Sequence, residues 1–300
     1  MAKKKNGRIA VPFLITIFIG LLIIGGAAIF IYNYFELGKE DALSEPIARS
    51  VDTASYEDNN TILLILDTPE EKSTSTFVLM RALPKDKKLL FVGIPTNTIS
   101  LVDGQQAKLK DTYDRGGPSS AVNFTEQAFG IEIDRYMKFD STAFLKICDI
   151  IGGVSYAVNV DIIGFEKTDS EQYLNGQQIQ TLLTYSMFEN GEVQRAYTAS
   201  SLLAAMINQS DGQRLADSFD RNFTTIINLV DSDITAVDYK NHKTAIKYMF
   251  ERGTSIARFR IIDGTNSGND FIPSESFAPD MIKEYFTTPD ETSSESSKSK

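Results

Sequence analysis

The sequence predicts an α/β domain, helices packed around a mixed central sheet, behind one N-terminal transmembrane helix. Three observations lead there. Continuous apolar runs bounded by polar residues occur at Thr61–Leu66, Phe77–Leu83 and Leu89–Ile94, the pattern of strands buried on both faces. Further along, short strand-like runs alternate with segments whose apolar positions recur at helical spacing, which favours helices layered on a mixed sheet. Ahead of all of these, Ile9 to Phe35 is a stretch of 27 residues without a charge.

That stretch is long enough to be a membrane span. A helix rises about 1.5 Å per residue, so about 20 residues cross a hydrocarbon core. Pro12 stands near its start, where a missing N–H costs little. Tyr32, Tyr34 and Phe35 are placed as an interfacial belt. Residues 1–8 carry Lys3, Lys4, Lys5 and Arg8 and no acid, so the positive-inside rule keeps this segment cytoplasmic and exports everything after residue 36. Gly25-Gly26-Ala27-Ala28 offers the small residues of a cleaved signal peptide, but the apolar run continues into Ile29–Ile31, which favours an uncleaved anchor over 9–35. Residues 36–58 are polar and contain Pro46, as suits a stalk; the exported domain is expected over 59–287. Residues 288–300 have no apolar side chain to bury and read as a disordered tail.

Within the domain, Pro84-Lys85-Asp86-Lys87-Lys88 joins the second and third apolar runs as a hairpin. Asp103-Gly104 marks a turn and Gly116-Gly117-Pro118 a break. Ser119 or Ser120 then caps a helix to about Phe129, stopped by Gly130. Asp140 opens a helix through Ile151 that ends at Gly152-Gly153, with Phe144, Ile147, Cys148 and Ile151 on one stripe. Tyr136–Phe139 and Val154–Val160 read as strands. Helices follow over 176–188, 196–208, 214–230 and 236–250, then a strand at Ile256–Ile262 and a helix over 278–286.

Composition narrows the chemistry. The 300 residues carry 30 Lys+Arg against 40 Asp+Glu, a net charge of −10; beyond residue 8 the balance is 26 against 40. An acidic body argues against nucleic-acid binding, which needs clustered cations. One cysteine, Cys148, excludes an internal disulfide and a Cys-rich zinc module; its place on an apolar stripe makes it a core thiol. One histidine, His242, argues against a His-based triad or multi-His metal site, and its neighbours Lys240, Asn241 and Lys243 suggest a solvated surface. No Walker loop, Gly-x-Gly-x-x-Gly after a strand or Gly-x-Ser-x-Gly elbow occurs.

One segment is more specific. Lys108-Leu109-Lys110-Asp111-Thr112-Tyr113-Asp114-Arg115-Gly116-Gly117-Pro118 resembles the Lys-x-x-x-x-Tyr-x-x-Gly-Gly-Pro segment of the LytR-CpsA-Psr family of bacterial envelope proteins. The surroundings fit in order: Ile62-Leu63-Leu64-Ile65, Thr76 to Arg81 and Ile94-Pro95-Thr96-Asn97-Thr98 upstream, then Phe129 to Tyr136, Asp149 to Val154 and Leu174 to Gln178 downstream. Gly191-Glu192-Val193-Gln194-Arg195 is similar to the family's Gly-Asp-x-x-Arg element. The resemblance implies an α-β-α domain that transfers a lipid-linked anionic glycopolymer from a polyprenyl pyrophosphate to peptidoglycan. Such chemistry uses Mg²⁺ on carboxylates and Arg forks on phosphate oxygens.

By that resemblance Asp67, or equally Thr68, stands at the first acidic position, with Asp67 the metal ligand and Glu70 or Glu71 beside it. Lys108, Arg195 and Asn97 are the implied substrate-binding residues. Several positions depart from the pattern: Thr96 stands for an Arg, Asn97 for an Asp, Ser75-Thr76 for Asp-Thr, and Thr184 and Ser186 for an Arg pair. A charge-assisted hydrogen bond contributes about 1.5–3 kcal/mol, and loss of one transition-state donor costs about a hundredfold or more in rate. The expectation is therefore an impaired relative that binds the polyprenyl-pyrophosphate carrier, the wall or a partner. The alternatives are an active Mg²⁺-dependent glycopolymer phosphotransferase and a structural or sensing ectodomain with no link to the lipid. Arg81 is expected to face a neighbouring strand. Leu182, Leu183 and Phe144 could line a slot for a polyprenyl tail, or be ordinary core.

Overall fold

The computed structural model describes residues 54–67, 75–162, 164–251 and 255–287. The expected anchor at 9–35 and the tail at 288–300 lie outside them, and among the described residues no helix is long and apolar enough to cross a membrane. The last residues of the expected stalk, Tyr56–Asp58, form a 3₁₀ turn capped by Ser55.

Strands β1 (Asn60–Leu66), β2 (Thr76–Leu83) and β3 (Lys88–Ile94) make an antiparallel meander, registered Ile65↔Phe77 and Phe77↔Ile94, as the hairpin pattern predicts. Next, β4 (Ile99–Val102) and β5 (Gln105–Lys108) form a small separate hairpin. Its turn residues Asp103 and Gly104 have φ of 51° and 76°, the left-handed pair a two-residue hairpin turn requires.

Helix α1 (Leu109–Phe129) begins well before the expected Ser119. It comprises two helical segments that meet at a kink, where Gly117 has φ 68° and ψ −159°. Pro118 follows the kink as a first-turn residue, where its missing N–H costs nothing. The earlier segment is anchored at its start: the amides of Leu109 and Lys110 donate to the carbonyls of Thr98 and Thr96 at 2.9 and 3.0 Å. Gly116-Gly117-Pro118 therefore bends the helix rather than ending it. The helix crosses to β6 (Arg135–Phe139), parallel to β1.

Helix α2 (Ser141–Ile151) is capped by Asp140 as expected. The run at Val154–Val160 yields only a short strand, β7 (Val154–Ala157), which pairs with β8 (Glu171–Leu174) outside the central sheet. Helices α3 (Gly176–Thr184) and α4 (Gly191–Gln209) follow. The expected helix over 214–230 is two, α5 (Gly212–Asp217) and α6 (Phe219–Ile227), separated at Ser218. Then come β9 (Asp231–Ser232), α7 (Ala236–Phe250), β10 (Ala257–Ile261), the hairpin β11 (Gly264–Ser267) and β12 (Asp270–Pro273), and α8 (Phe277–Tyr285).

The central sheet runs β10-β3-β2-β1-β6-β9, with β10 parallel to β3. Alternate side chains of its central strands enter two cores. Leu63, Ile65, Phe77, Leu79, Leu90 and Val92 pack with Phe124 and Phe129 of α1 and Phe277 and Met281 of α8. Val78, Ala82, Leu89 and Phe91 pack on the other face with Phe144, Leu182, Leu183, Leu202 and Met249. Burial on both faces is why these strands read as unbroken apolar runs. Leu182, Leu183 and Phe144 are thus ordinary core. Cys148 is also buried, and burial pushes its thiol up to about 12.

Candidate functional site

The C-terminal ends of β1, β3 and β6 meet the start of β2 at one edge of the sheet, where Leu66 pairs with both Thr76 and Phe139, and Phe77 with Ile94. Polar side chains gather there: Asp67, Ser75, Thr76 and Thr96, with Lys138 from β6. Helix α4 comes close to this edge because β3 carries Gly93. A Cβ at Gly93 would lie 2.0 Å from the carbonyl oxygen of Ala196. The glycine lets the helix backbone touch the strand, and the next residue back, Arg195, is pressed into the sheet edge.

Arg195 is only 2% exposed. Its Nη1 donates to the carbonyl of Ser75 at 3.1 Å and to Thr76 Oγ1 at 3.3 Å. Nη2 donates to Thr96 Oγ1 at 3.2 Å and to Glu192, and Nε donates to Glu192 Oε2 at 3.1 Å. A guanidinium has five N–H groups, and these five bonds use them all. The acceptors are organised in turn: Thr96 Oγ1 donates to Glu192 Oε2 at 2.5 Å, and Thr76 Oγ1 to the carbonyl of Leu183 at 2.9 Å. Two positions expected as departures, Ser75 and Thr96, thus supply acceptors that hold Arg195, the first through its carbonyl and the second through its hydroxyl, with Thr76 between them.

Asp67 lies beside this network through Ser75, whose Oγ donates to Asp67 Oδ1 at 3.3 Å. The Tyr113 hydroxyl donates to Asp67 Oδ2 at 2.7 Å, and the Lys138 ammonium is 3.8 Å away. Burial, then the hydrogen bond to Asp67, push the Tyr113 hydroxyl's pKa above the usual tyrosine range. The sequence reading did not single out Tyr113 or Lys138. Tyr113 is the aromatic residue of the Lys-x-x-x-x-Tyr segment, the one signal that could have found it.

Lys108 and Asn97 belong to a different surface. Lys108 pairs with Asp270 of β12 at 2.6 Å, and this hydrogen-bonded partner raises its pKa. Asn97 Nδ2 donates to the carbonyl of Asn269 at 3.1 Å, and its Oδ1 is buried with no partner. Thus Asp67 and Arg195 converge, while the side chains of Lys108 and Asn97 engage the β11–β12 hairpin. Of the expected Arg-pair positions, Thr184 is buried at the end of α3 and donates to the carbonyl of Gln180 at 3.0 Å, and Ser186 is exposed. Arg81 faces β1 as expected, donating to Thr61 Oγ1 at 2.7 Å.

A Mg²⁺ ion wants several hard oxygen ligands. Among the described residues no group of three or more His, Cys, Asp or Glu could hold a metal. Asp67 Oδ2 already accepts from Tyr113, and an ammonium stands nearby; Glu70 and Glu71 lie outside the described residues. The described donor set does not fit a dication.

An apolar cavity of about 260 Å³ lies toward the opposite end of β1, between the sheet and α6–α7. Ile62, Met80 and Met137 line it from the sheet, and Phe223, Ile226 and Ile246 from the helices. No residue of α6 is fully buried, although its apolar residues lie on one face. His242 also lines the cavity; it is half-buried with an unpartnered Nδ1, not the solvated residue its neighbours suggested. Arg135 and Asp238 pair at the cavity wall, at 2.7 and 2.8 Å.

The polyisoprenyl-teichoic acid–peptidoglycan teichoic acid transferase TagU of Enterococcus faecalis is 24% identical over 271 residues, covering 82% of this chain and 87% of that protein. The Bacillus subtilis protein of the same name is 23% identical, covering 84% and 89%. The crystal structure of Bacillus subtilis TagV superposes with a TM-score of 0.59 at 22% identity, covering 77% of this chain and 98% of that one. A structure of TagT bound to LI-WTA gives 0.59 at 16% identity, covering 81% and 98%. These structures share the mixed α/β architecture described above. The LytR_cpsA_psr family model matches residues 33–275, and the chain belongs to the LytR-CpsA-Psr family.

Proposed function

We propose that this chain is a membrane-anchored cell-envelope protein that binds a polyprenyl-linked anionic glycopolymer or its carrier without carrying out the transfer step. The observation that carries this reading is the saturation of Arg195. A cation that grips a pyrophosphate needs free N–H groups, and this guanidinium spends all of its donors on Glu192, Thr96, Thr76 and the Ser75 carbonyl. Releasing it would strand a buried charge and open several hydrogen bonds at once. The threonines and serine at the other expected cationic positions supply no substitute.

Binding has separate support. The cavity between the sheet and α6–α7 is apolar enough for part of an isoprenoid chain. The names of the relatives point to polyisoprenyl-linked teichoic acid and peptidoglycan as the molecules this family handles. Among the described residues, Lys138, 31% exposed beside Asp67, is the cation at the sheet edge best placed to meet a phosphate. Asp67, oriented by Tyr113 and Ser75, holds that ammonium at the edge.

The test uses the full chain in lipid nanodiscs, with a polyprenyl pyrophosphate and Mg²⁺. Saturable lipid binding without phosphate release is expected, with binding weakened by Ile226→Lys in the cavity. Phosphate release that Asp67→Ala abolishes would refute the reading and restore the active transferase.

A further inference from the structure

A groove of different character runs along α4, bounded by the β7–β8 hairpin and the edge strand β10. Its volume is about 400 Å³, within the roughly 300–1,000 Å³ of small-molecule sites. From α4 it is lined by Gln194, Tyr197, Thr198, Ser201 and Ala205, one stripe at helical spacing. This stripe neighbours the one that carries Glu192 and Arg195. The framework is fixed. Gln209 exchanges two bonds of 2.8 Å with the backbone of Ser155, tying β7 to α4, and Tyr156 and Ser201 share a hydroxyl contact of 2.7 Å.

Two aromatic rings are left in solvent on this framework. Tyr197 is 45% exposed and Phe259 of β10 is 40% exposed, and the rings meet edge to face at 5.4 Å. Around them stand groups with no hydrogen-bond partner among the described residues: the Asn159 amide, the Glu171 carboxylate, the Tyr197 hydroxyl and Nε2 of Gln194, whose Oε1 alone is used, by the amide of Asn190. Among the described residues of the lining, Glu171 is the only formally charged side chain and no Lys or Arg contributes.

This chemistry selects its ligand. An isoprenoid would bury the amides and the carboxylate unpaired, at a cost that disfavours it. A phosphate-bearing polymer would meet a carboxylate and no cation. A sugar ring offers an apolar C–H face for an aromatic side chain, and hydroxyls that both donate and accept, as amide, carboxylate and phenol groups require. We propose that the groove binds an uncharged glycan strand of the cell wall, with Tyr197 and Phe259 as the stacking platform and Asn159, Glu171 and Gln194 as hydroxyl partners. The wall as the source of the strand rests on the envelope reading above; the site does not.

The experiment titrates the full chain in nanodiscs by calorimetry with chitotetraose, cellotetraose and the anionic tetragalacturonate. Chitotetraose is expected to bind saturably and in preference to the other two. Tyr197→Ala and Phe259→Ala should each weaken it about tenfold, the scale of one aromatic contact, with melting temperature unchanged at these exposed positions. Tyr197→Phe should retain most of the binding. Glu171→Gln should keep chitotetraose and admit tetragalacturonate, a change that a purely structural role would not produce. Absence of chitotetraose binding, indifference to Tyr197→Ala, or a preference for cellotetraose or tetragalacturonate would overturn the proposal. Polyprenyl-pyrophosphate binding measured on the same samples should not respond to Tyr197→Ala, so failure of the carrier reading and failure of the groove are separately visible.

Discussion

Replacing Arg195 with Met keeps much of the aliphatic volume and removes the charge with all five donors. The loss is felt at two levels. The Ser75 carbonyl and the Thr76 and Thr96 hydroxyls lose a donor, and the Glu192 carboxylate loses its counter-ion. Removing one partner of a buried ion pair costs about 3–5 kcal/mol. Glu192 is 24% exposed and can recover part of its hydration, so the expected loss lies near the lower end, about 3 kcal/mol. For a domain of this size that lowers the melting temperature by about 6–12 °C. Thermal melts of the full chain in detergent, followed by far-ultraviolet circular dichroism, measure it. Adding Glu192→Met should recover part of the loss, because it removes the stranded carboxylate. An arginine waiting for a phosphate would contribute little to the ligand-free protein. A change below about 2 °C, or no coupling between the two positions, would therefore refute the buried-pin account and return Arg195 to ligand binding.

Gly93→Ala should destabilise the protein by about 2–3 kcal/mol in urea unfolding, the upper range for overpacking, because the new Cβ meets helix backbone at 2.0 Å instead of a movable side chain. Acid stability should depend on Asp238. Its burial raises the carboxyl pKa, but the Arg135 pair and the Thr235 bonds outweigh this and hold it at about 2, below its ordinary 3.8. A depressed carboxylate contributes stability above its unfolded pKa that is lost as pH falls through the folded value. Asp238→Asn should accordingly flatten the stability curve between pH 4 and 2, as measured by urea midpoints at each pH.

The central strands were legible because burial on both faces leaves no ambiguity of pattern, and the cap Asp140 was legible because its side chain acts within three residues. The start of α1 was not. Gly116-Gly117-Pro118 has the composition of a stop, and only the long-range bonds from Leu109 and Lys110 to the Thr96–Thr98 segment anchor the helix that precedes it. Strand β7 ends early because its partner β8 comes from a segment with no apolar run of its own. At the site, the sequence identified Asp67 and Arg195 but not their condition. Arg195 is buried because Gly93, 102 positions earlier, admits α4 to the sheet, and Tyr113 reaches Asp67 across 46 residues. Lys108 and Asn97, although members of the motifs that named them, are drawn away by Asp270 and Asn269 respectively.

Glu192 has a consequence for any attempt to add a cation to this sheet edge. It receives both the Arg195 guanidinium and the Thr96 hydroxyl, and so occupies the place of an anion tethered to its own receptor. A cation placed at Thr96 would meet this resident carboxylate before any incoming phosphate. Its local concentration is fixed by the helix, and no amount of free substrate dilutes it. Strengthening a grip on phosphate at this edge would therefore require removing the internal competitor as well as adding charge.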